Sequence, residues 1–243
     1  MTAGCTSVLL VHGAGGGGWE WNVWRGVMQA HGFDSHAPEL QPAAAGFAAT
    51  TLDEYMAQVR TRLLVLPRPR VLVGASLGGL VAALCAGNAD ALVLVYPFPG
   101  RPWHSQLPPR QWSEAVPWQR EARLSGTRAA LGDADAASAL FAYRRWQDQP
   151  GAPLRSAWMG VEVVAPACPV LFVVSKDDDD VPPQISRATA VAWEASFVQT
   201  LSTSHAGPLL GAWAAQTAEQ AVAWVNQVLL ELADSDPVRA PAP

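Results

Sequence analysis

A serine between glycines is the first feature of the chain that could do chemistry. This serine is Ser76 in Gly74-Ala75-Ser76-Leu77-Gly78, and it lies between the apolar run 70–75 and the helix-like segment 77–87. The GxSxG pattern is typical of a strand-to-helix turn so tight that only small flanking residues avoid a clash. This turn would hold Ser76 above the edge of a sheet, at a helix N-terminus that favours developing negative charge. Ser76 is therefore a candidate nucleophile, although a glycine-rich helix start that only packs on a strand has the same pattern.

A serine hydroxyl is a poor nucleophile at neutral pH, so it needs a histidine base and an acid that orients this base. In an arrangement of this kind the order along the chain is Ser, acid, His. His205, in LSTSHAGPLL, follows the last predicted strand and would project onto the face that carries Ser76. The acid has four adjacent candidates, Asp177 to Asp180, and such a run is also compatible with a solvated turn.

The glycine-rich stretch VHGAGGGGWEW, residues 11–21, allows two interpretations. Gly13, Gly15 and Gly18 spell GxGxxG, and Asp34 follows at about the distance at which a dinucleotide-binding fold carries its ribose-binding acid. That interpretation gives no role to His12 and leaves the Ser76 motif unexplained. A side-chain-poor loop that turns a backbone amide toward a substrate oxygen accounts for both, so we expect no nucleotide and no other cofactor.

Short apolar runs alternate with helix-like segments along the chain. Most of the runs are continuously apolar, which is typical of parallel strands buried on both faces. The order strand, helix, strand predicts an α/β fold with a doubly wound, mostly parallel sheet that binds ligands at the carboxyl ends of its strands. The predicted strands are 7–12, 34–40, 70–75, 91–97, 169–175 and 196–202, and the predicted helices are 19–31, 51–65, 77–87, 183–194 and 211–233.

One connection is far longer than a crossover helix requires. The segment between Pro97 and Pro169 contains five of the eleven tryptophans, namely Trp103, Trp112, Trp118, Trp146 and Trp158. We interpret residues 100–166 as a helical cap inserted into a single domain at 1–235, followed by a disordered tail at 236–243. The tryptophans could line a cleft beneath this cap or form the cap's own core.

Charge and cysteine content exclude several kinds of partner. A formal net charge of -5 gives no electrostatic reason to expect nucleic acid or an anionic membrane. The three cysteines, Cys5, Cys85 and Cys168, have neither metal-ligand spacing nor a disulfide framework, and we expect no metal. No apolar run approaches the roughly 20 residues of a membrane span. We expect a cytoplasmic protein with a small-molecule substrate, and the choice between monomer and homodimer stays open.

Four motifs of the chain resemble those of the α/β-hydrolase superfamily and occur in the same order. They are VHGAGGGGW, GASLGG, DDDDVPP and SHAGP. The resemblance covers essentially the whole chain outside the cap and is strongest to the small branch with plant methylesterases, hydroxynitrile lyases and bacterial carboxylesterases. It implies a core sheet of about six strands and an oxyanion hole formed by the amides of Ala14 and Leu77. Relatives often place two residues on each side of the catalytic acid, between a glycine and Val-Pro, which here selects Asp178, with Asp177 as the second choice.

The chain departs from this family at three positions. Ala75 stands where a histidine or another larger residue usually precedes the serine, and Ser175 replaces the common glycine before the acid. Ala206 follows His205, whereas plant hydroxynitrile lyases carry a lysine there, so lyase activity of that type is not expected.

The resulting hypothesis is a serine hydrolase that cleaves a small carboxylic ester through a Ser76-His205-Asp178 triad and an acyl-enzyme. We expect Gly13, Gly15, Trp103 and Trp158 to contact the substrate. Thioesterase, lactonase and amidase activities are compatible with the same residues. A non-catalytic protein that binds a small molecule on the same fold is the alternative from a different class.

Overall fold

The computed structural model describes residues 5–234, so the tail expected at 236–243 lies outside the described residues. The strands in this range are β1 (Ser7–Val11), β2 (Asp34–His36), β3 (Arg70–Ala75), β4 (Ala91–Val95), β5 (Ala115–Val116), β6 (Gln149–Pro150), β7 (Val170–Val174) and β8 (Ser196–Gln199). The α-helices are α1 (Asn22–Ala30), α2 (Leu52–Leu64), α3 (Leu77–Cys85), α4 (Leu124–Ala130), α5 (Ala136–Tyr143), α6 (Gly151–Met159), α7 (Pro183–Ala192), α8 (Gly207–Leu210) and α9 (Ala214–Asp234). No helix between residues 5 and 234 is both long and apolar enough to cross a membrane.

Six of the strands form one sheet in the order β2-β1-β3-β4-β7-β8, and every neighbouring pair is parallel. This confirms the predicted α/β fold. The register pairs Gly74 of β3 with Val11 of β1 and with Leu94 of β4, so the loops that follow these three strands leave the same edge of the sheet. Strand β2 is shorter than the predicted 34–40, because Pro38 has no amide with which to continue the hydrogen-bond ladder.

The core has two layers, one on each face of the sheet. Leu72 and Leu94 face the layer formed with α2, α3 and α7, whereas Val71 and Val73 face the layer formed with α1 and α9. Alternate residues of one strand are therefore buried on opposite faces, which explains why β3 is a continuous apolar run.

The long segment between β4 and β7 carries α4, α5, α6 and the short antiparallel pair β5-β6. Its last helix belongs to the main core, since α6 packs against α2 and α3 and its Leu154 and Ala157 are fully buried. Only the earlier part, from Arg110 to Trp146, lies over the carboxyl edge of the sheet, where it lines a cleft.

Candidate active site

Ser76 lies at the turn between β3 and α3 with backbone angles of φ 54° and ψ -121°. A positive φ is strained for a residue with a side chain and persists only where the surroundings impose it. The two motif glycines allow the turn, because a Cβ at Gly74 would overlap the carbonyl oxygen of Gly78, and one at Gly78 would overlap that of His12. The GxSxG spacing therefore reflects the close approach of β1, β3 and α3 beneath Ser76.

His205 links Ser76 to Asp178. The Nδ1 atom of His205 lies 2.8 Å from Oδ2 of Asp178, and its Nε2 lies 2.9 Å from Oγ of Ser76. Because an ionised carboxylate only accepts hydrogen bonds, Nδ1 carries the proton of the neutral ring and Nε2 accepts from the Ser76 hydroxyl. These three residues, which the sequence analysis named as candidates, are therefore brought together from the ends of β3, β7 and β8.

Asp178 is held rigidly in this arrangement. Its Oδ1 accepts hydrogen bonds from the amides of Asp180 and Val181, at 2.9 and 3.0 Å, and its side chain is 1% exposed. Asp177, the second candidate for the acid, is exposed and lies on the outside of the turn. Of the four adjacent aspartates, only Asp178 contacts His205 through its side chain in the described residues.

The environment of His205 raises the pKa of the imidazole above its ordinary value of 6.5. Burial alone would lower the pKa, but the negative charge of Asp178 and its hydrogen bond outweigh burial, with a smaller contribution from Asp180. His205 is thus poised to accept a proton.

Two backbone amides near Ser76 have no hydrogen-bond acceptor among the described residues, those of Ala14 and Leu77. Gly13, which precedes Ala14, lies directly against the serine, since a Cβ there would be 3.3 Å from Cβ of Ser76. Leu77 is the first residue of α3, where amides lack a partner within the helix. Both amides can stabilise an anion beside Ser76.

The glycine loop, residues 13–18, is anchored by side chains from elsewhere in the chain. Its Gly13 amide donates to Glu20 Oε2 at 3.2 Å, its Gly15 amide to Gln149 Oε1 at 3.1 Å, and its Gly18 amide to Glu39 Oε1 at 2.9 Å. The Gly15 carbonyl oxygen also accepts from the amide of Gln147, at 2.8 Å. Gly15 therefore has both of its backbone groups bound to residues that directly follow the segment covering the cleft.

His12 fixes the start of this loop. Its ring Nδ1 donates to the carbonyl oxygen of Gly13 at 2.8 Å, and its Nε2 accepts from the amide of Leu40 at 2.9 Å. Burial lowers the pKa of the ring, so the imidazole is neutral and can both donate and accept. His12 therefore holds the start of the glycine-rich stretch in place, a structural role that the dinucleotide interpretation did not provide.

A cleft of about 610 Å³ lies above Ser76 and is bounded by Ala14, Phe98 and His205 on the side of the sheet. Its other wall is rich in aromatic rings from the covering segment, with Trp112, Trp118 and Trp146. An ion pair between Arg110 and Asp180 lies at its edge. Such a cleft is suited to a mostly apolar ligand with few polar groups.

Two tryptophans expected to contact substrate, Trp103 and Trp158, do not line the cleft. Both pack against the main core, and Nε1 of Trp158 donates to the carbonyl oxygen of Pro108 at 3.0 Å. Trp158 also packs edge-on against Phe98, so it supports a residue of the cleft from behind. Gly13 and Gly15, the two glycines expected to contact substrate, do not line the cleft either, although they flank Ala14, which does.

Three polar residues around the site were not predicted from the sequence, namely Glu20, Asp133 and Gln149. Glu20 has one local signal, its place between Trp19 and Trp21 in the sequence. Gln149 and Asp133 have none, since each reaches its partner across a long stretch of chain.

Asp178, Asp180 and His205 each place one potential metal-ligand atom within 4.8 Å of the others. Each of these residues already has a partner within the chain, because His205 is bonded to Asp178 and Asp180 is paired with Arg110. We therefore assign no metal to this group.

The fold matches those of known proteins. The chain is similar to a pyrethroid hydrolase from Sphingobium faniae (TM-score 0.68, 20% identity, covering 92% of this chain and 98% of that chain). It is also similar to polyneuridine aldehyde esterase (TM-score 0.72, 14% identity, 92% and 99%) and to a methylesterase from Arabidopsis (TM-score 0.67, 16% identity, 90% and 99%). No curated protein sequence matches the chain. A family model described as "Alpha/beta hydrolase family" matches residues 8–221, and the chain therefore belongs to the alpha/beta hydrolase family.

Proposed function

We propose that the protein is a serine hydrolase that cleaves a carboxylic ester, with Ser76 as nucleophile, His205 as general base and Asp178 as the acid that orients His205. The observation that carries this proposal is the continuous hydrogen-bonded chain from Ser76 Oγ through His205 to Asp178. It is supported by the strained backbone of Ser76, because such strain persists where a functional geometry requires it.

In the acylation step, Ser76 Oγ forms a bond to the carbonyl carbon of the ester while His205 Nε2 takes the hydroxyl proton. The carbonyl oxygen becomes an oxyanion, which accepts hydrogen bonds from the amides of Ala14 and Leu77. When the carbon–oxygen bond of the leaving group breaks, His205 returns the proton to the departing alcohol. Asp178 stays ionised throughout and stabilises the imidazolium that forms between these two transfers.

Deacylation repeats these steps with water. His205 takes a proton from a water molecule, the resulting hydroxide attacks the acyl carbon, and the Ser76 oxygen leaves with the proton that His205 returns. The products are a carboxylic acid and the regenerated serine.

We propose a substrate with an apolar acyl or alcohol group of moderate size. The aromatic wall formed by Trp112, Trp118 and Trp146 supports this proposal, and the cleft volume of about 610 Å³ leaves room for more than an acetyl group. The names of the similar proteins agree with the hydrolysis of an ester, since they include esterases and a pyrethroid hydrolase. Rates on p-nitrophenyl acetate, butyrate and octanoate test it, and equal specificity constants across the series would contradict selection by the cleft.

The nucleophile is tested with Ser76→Ala and a fluorophosphonate probe. We expect kcat on p-nitrophenyl butyrate to fall by about four orders of magnitude or more, because binding and the oxyanion site alone leave little rate enhancement. Only an activated serine displaces fluoride from the probe, so wild type is labelled and Ser76→Ala is not. Ser105→Ala serves as the control, because Ser105 is exposed and, within residues 5–234, its hydroxyl bonds only the carbonyl oxygen of Pro102. An unlabelled, inactive wild type would instead favour a protein that only binds its ligand.

A further inference from the structure

The sequence Trp19-Glu20-Trp21 places a carboxyl group in the interior next to the glycine loop, and the mechanism above does not use it. Glu20 is only 4% exposed. We propose that Glu20 is a positioning residue for the oxyanion site, and that the glycine loop supports catalysis only while the Glu20 carboxyl is uncharged. The inference rests on the proposed function and deepens it.

The first support is the pattern of bonded and free amides in the glycine loop. The Gly13 amide is bound by Glu20 Oε2, and the Gly15 amide by Gln149 Oε1. The Ala14 amide between them has no acceptor among the described residues. Glu20 and Gln149 therefore fix the peptide units before and after the one that carries the Ala14 N–H. This N–H is left free to bind an oxyanion.

The second support is the space that the loop leaves for this carboxyl group. Gly16 has no side chain at the point where Glu20 lies, and a Cβ there would overlap both carboxyl oxygens. The Gly16 amide donates to the carbonyl oxygen of Gly13, at 3.3 Å, so the chain turns around the carboxyl group. The glycine at position 16 thus serves Glu20 rather than the substrate.

The third support is electrostatic. Burial raises the pKa of the Glu20 carboxyl to about 8, although the amides of Gly13 and Gly17 and the nearby His205 favour the charged form. The other titratable groups that face it are Glu39, which also raises its pKa, and Tyr96, whose own pKa lies well above 10. At neutral pH the carboxyl group of Glu20 is therefore protonated.

Ionisation of Glu20 would oppose the reaction. A negative charge beside Gly13 repels the oxyanion that forms at Ala14. This repulsion acts on the transition state, so kcat should fall above about pH 8 while KM changes little.

The experiment compares wild type with Glu20→Gln, Glu20→Leu and Glu54→Gln on p-nitrophenyl butyrate from pH 6 to pH 10. Glutamine has the shape of the uncharged carboxyl and keeps an oxygen that accepts from Gly13, whereas leucine has the volume but no acceptor. Glu54→Gln removes one charge from an exposed position on α2 and controls for net charge. Melting temperatures are measured across the same pH range.

We expect wild type and Glu54→Gln to lose kcat above about pH 8, and Glu20→Gln to keep its neutral-pH kcat up to pH 10. Glu20→Leu should lower kcat by about 10- to 100-fold at pH 7 with KM within about threefold, because one oxyanion donor is displaced rather than removed. The melting temperature of wild type should fall from pH 6 to pH 9 relative to Glu20→Gln, since the folded protein holds a proton that the unfolded chain has lost.

An alkaline loss of kcat that persists unchanged in Glu20→Gln would overturn the inference, as would a folded Glu20→Leu with wild-type kcat. If Glu20→Leu fails to fold, the pH profile of Glu20→Gln still decides. Ser76→Ala, measured alongside, separates the two proposals. Residual activity in Ser76→Ala contradicts the proposed function, whereas an inactive Ser76→Ala with wild-type behaviour of both Glu20 variants contradicts only the inference about Glu20.

Discussion

The carboxylate of Asp133 accepts a hydrogen bond of 2.6 Å from the hydroxyl of Ser204, the residue that precedes His205. Asp133 lies in the segment that covers the cleft, and its backbone oxygen also accepts from the amide of Ala212. Gly207 and Gly211 leave room for it, because a Cβ at either position would come within 2.6–2.8 Å of its carboxyl oxygens. The loop that carries the catalytic base is therefore tied to the cover of the cleft.

Asp133→Ala should lower kcat by about 5- to 50-fold, because the His205 loop loses its tether and small displacements of a base are costly. KM for p-nitrophenyl butyrate should change less than kcat. Asp135→Ala is the matched control two residues away. Its carboxyl caps α5 by accepting from the Ser138 amide, so its loss should lower stability slightly and leave kcat unchanged. Equal kcat losses in both variants would show that Asp133 has no specific effect on His205.

The acid limb of the pH profile should report on Asp178. Because Asp178 raises the pKa of His205, we expect kcat/KM of wild type to fall as the pH drops through a value above 6.5. In Asp178→Asn burial acts without the opposing charge, so the limb should move to lower pH. The maximal rate should also fall by about 10³- to 10⁴-fold, because an amide can stabilise the wrong imidazole tautomer.

Asp177→Asn is the control for this measurement, since it removes the same charge from the exposed neighbour. Its limb and its maximal rate should equal those of wild type. A larger loss in Asp177→Asn than in Asp178→Asn would reverse the assignment of the acid.

Gly16→Ala should reduce both stability and activity, because its methyl group would overlap the buried Glu20 carboxyl. We expect a stability loss of about 1–3 kcal/mol, as for other overpacked sites, and a kcat loss greater than tenfold. Gly26→Ala offers the comparison, since nothing lies within 4 Å of the added carbon on the exposed side of α1. There the substitution should raise stability by about 0.5–1 kcal/mol. Urea unfolding and steady-state kinetics on both variants test the contrast.

Trp118→Ala should weaken discrimination between long and short acyl esters. Trp118 lines the cleft and closes it beside Gly15. The lost aromatic contact should lower kcat/KM for p-nitrophenyl octanoate by about tenfold and for the acetate by about threefold or less. Trp213→Ala removes an exposed indole outside the cleft and should leave both values unchanged. A uniform decrease for every ester would mean that Trp118 supports the fold and does not select the substrate.

The parallel sheet and the residues of most of its strands could be predicted from the sequence, because strands buried on both faces are continuous apolar runs. The GxSxG motif also predicted the tight turn at Ser76, since only glycines fit the steric demands at positions 74 and 78. His205 and Asp178 could be located for a related reason, as parallel strands bring the loops at their carboxyl ends to one edge.

The contents of the cleft could not be predicted in the same way. Trp103 and Trp118 look alike in the sequence, and which of them faces the core depends on how the covering segment folds back. The bond between Gln149 and Gly15 joins residues 134 positions apart, and no local pattern indicates it. Burial of Glu20 could not be predicted either, because hydrophobic periodicity does not place an acid in the core.

The double attachment of Gly15 to Gln147 and Gln149 has a consequence for protein engineering. Grafting the covering segment of another family member onto this chain is an obvious route to new substrates. A graft that replaces residues 147–149 would also remove the partners that hold the loop beside Ser76, so altered selectivity would come with slower chemistry. Chimaeras with junctions placed before Gln147 should exchange the cleft wall and keep the catalytic machinery intact.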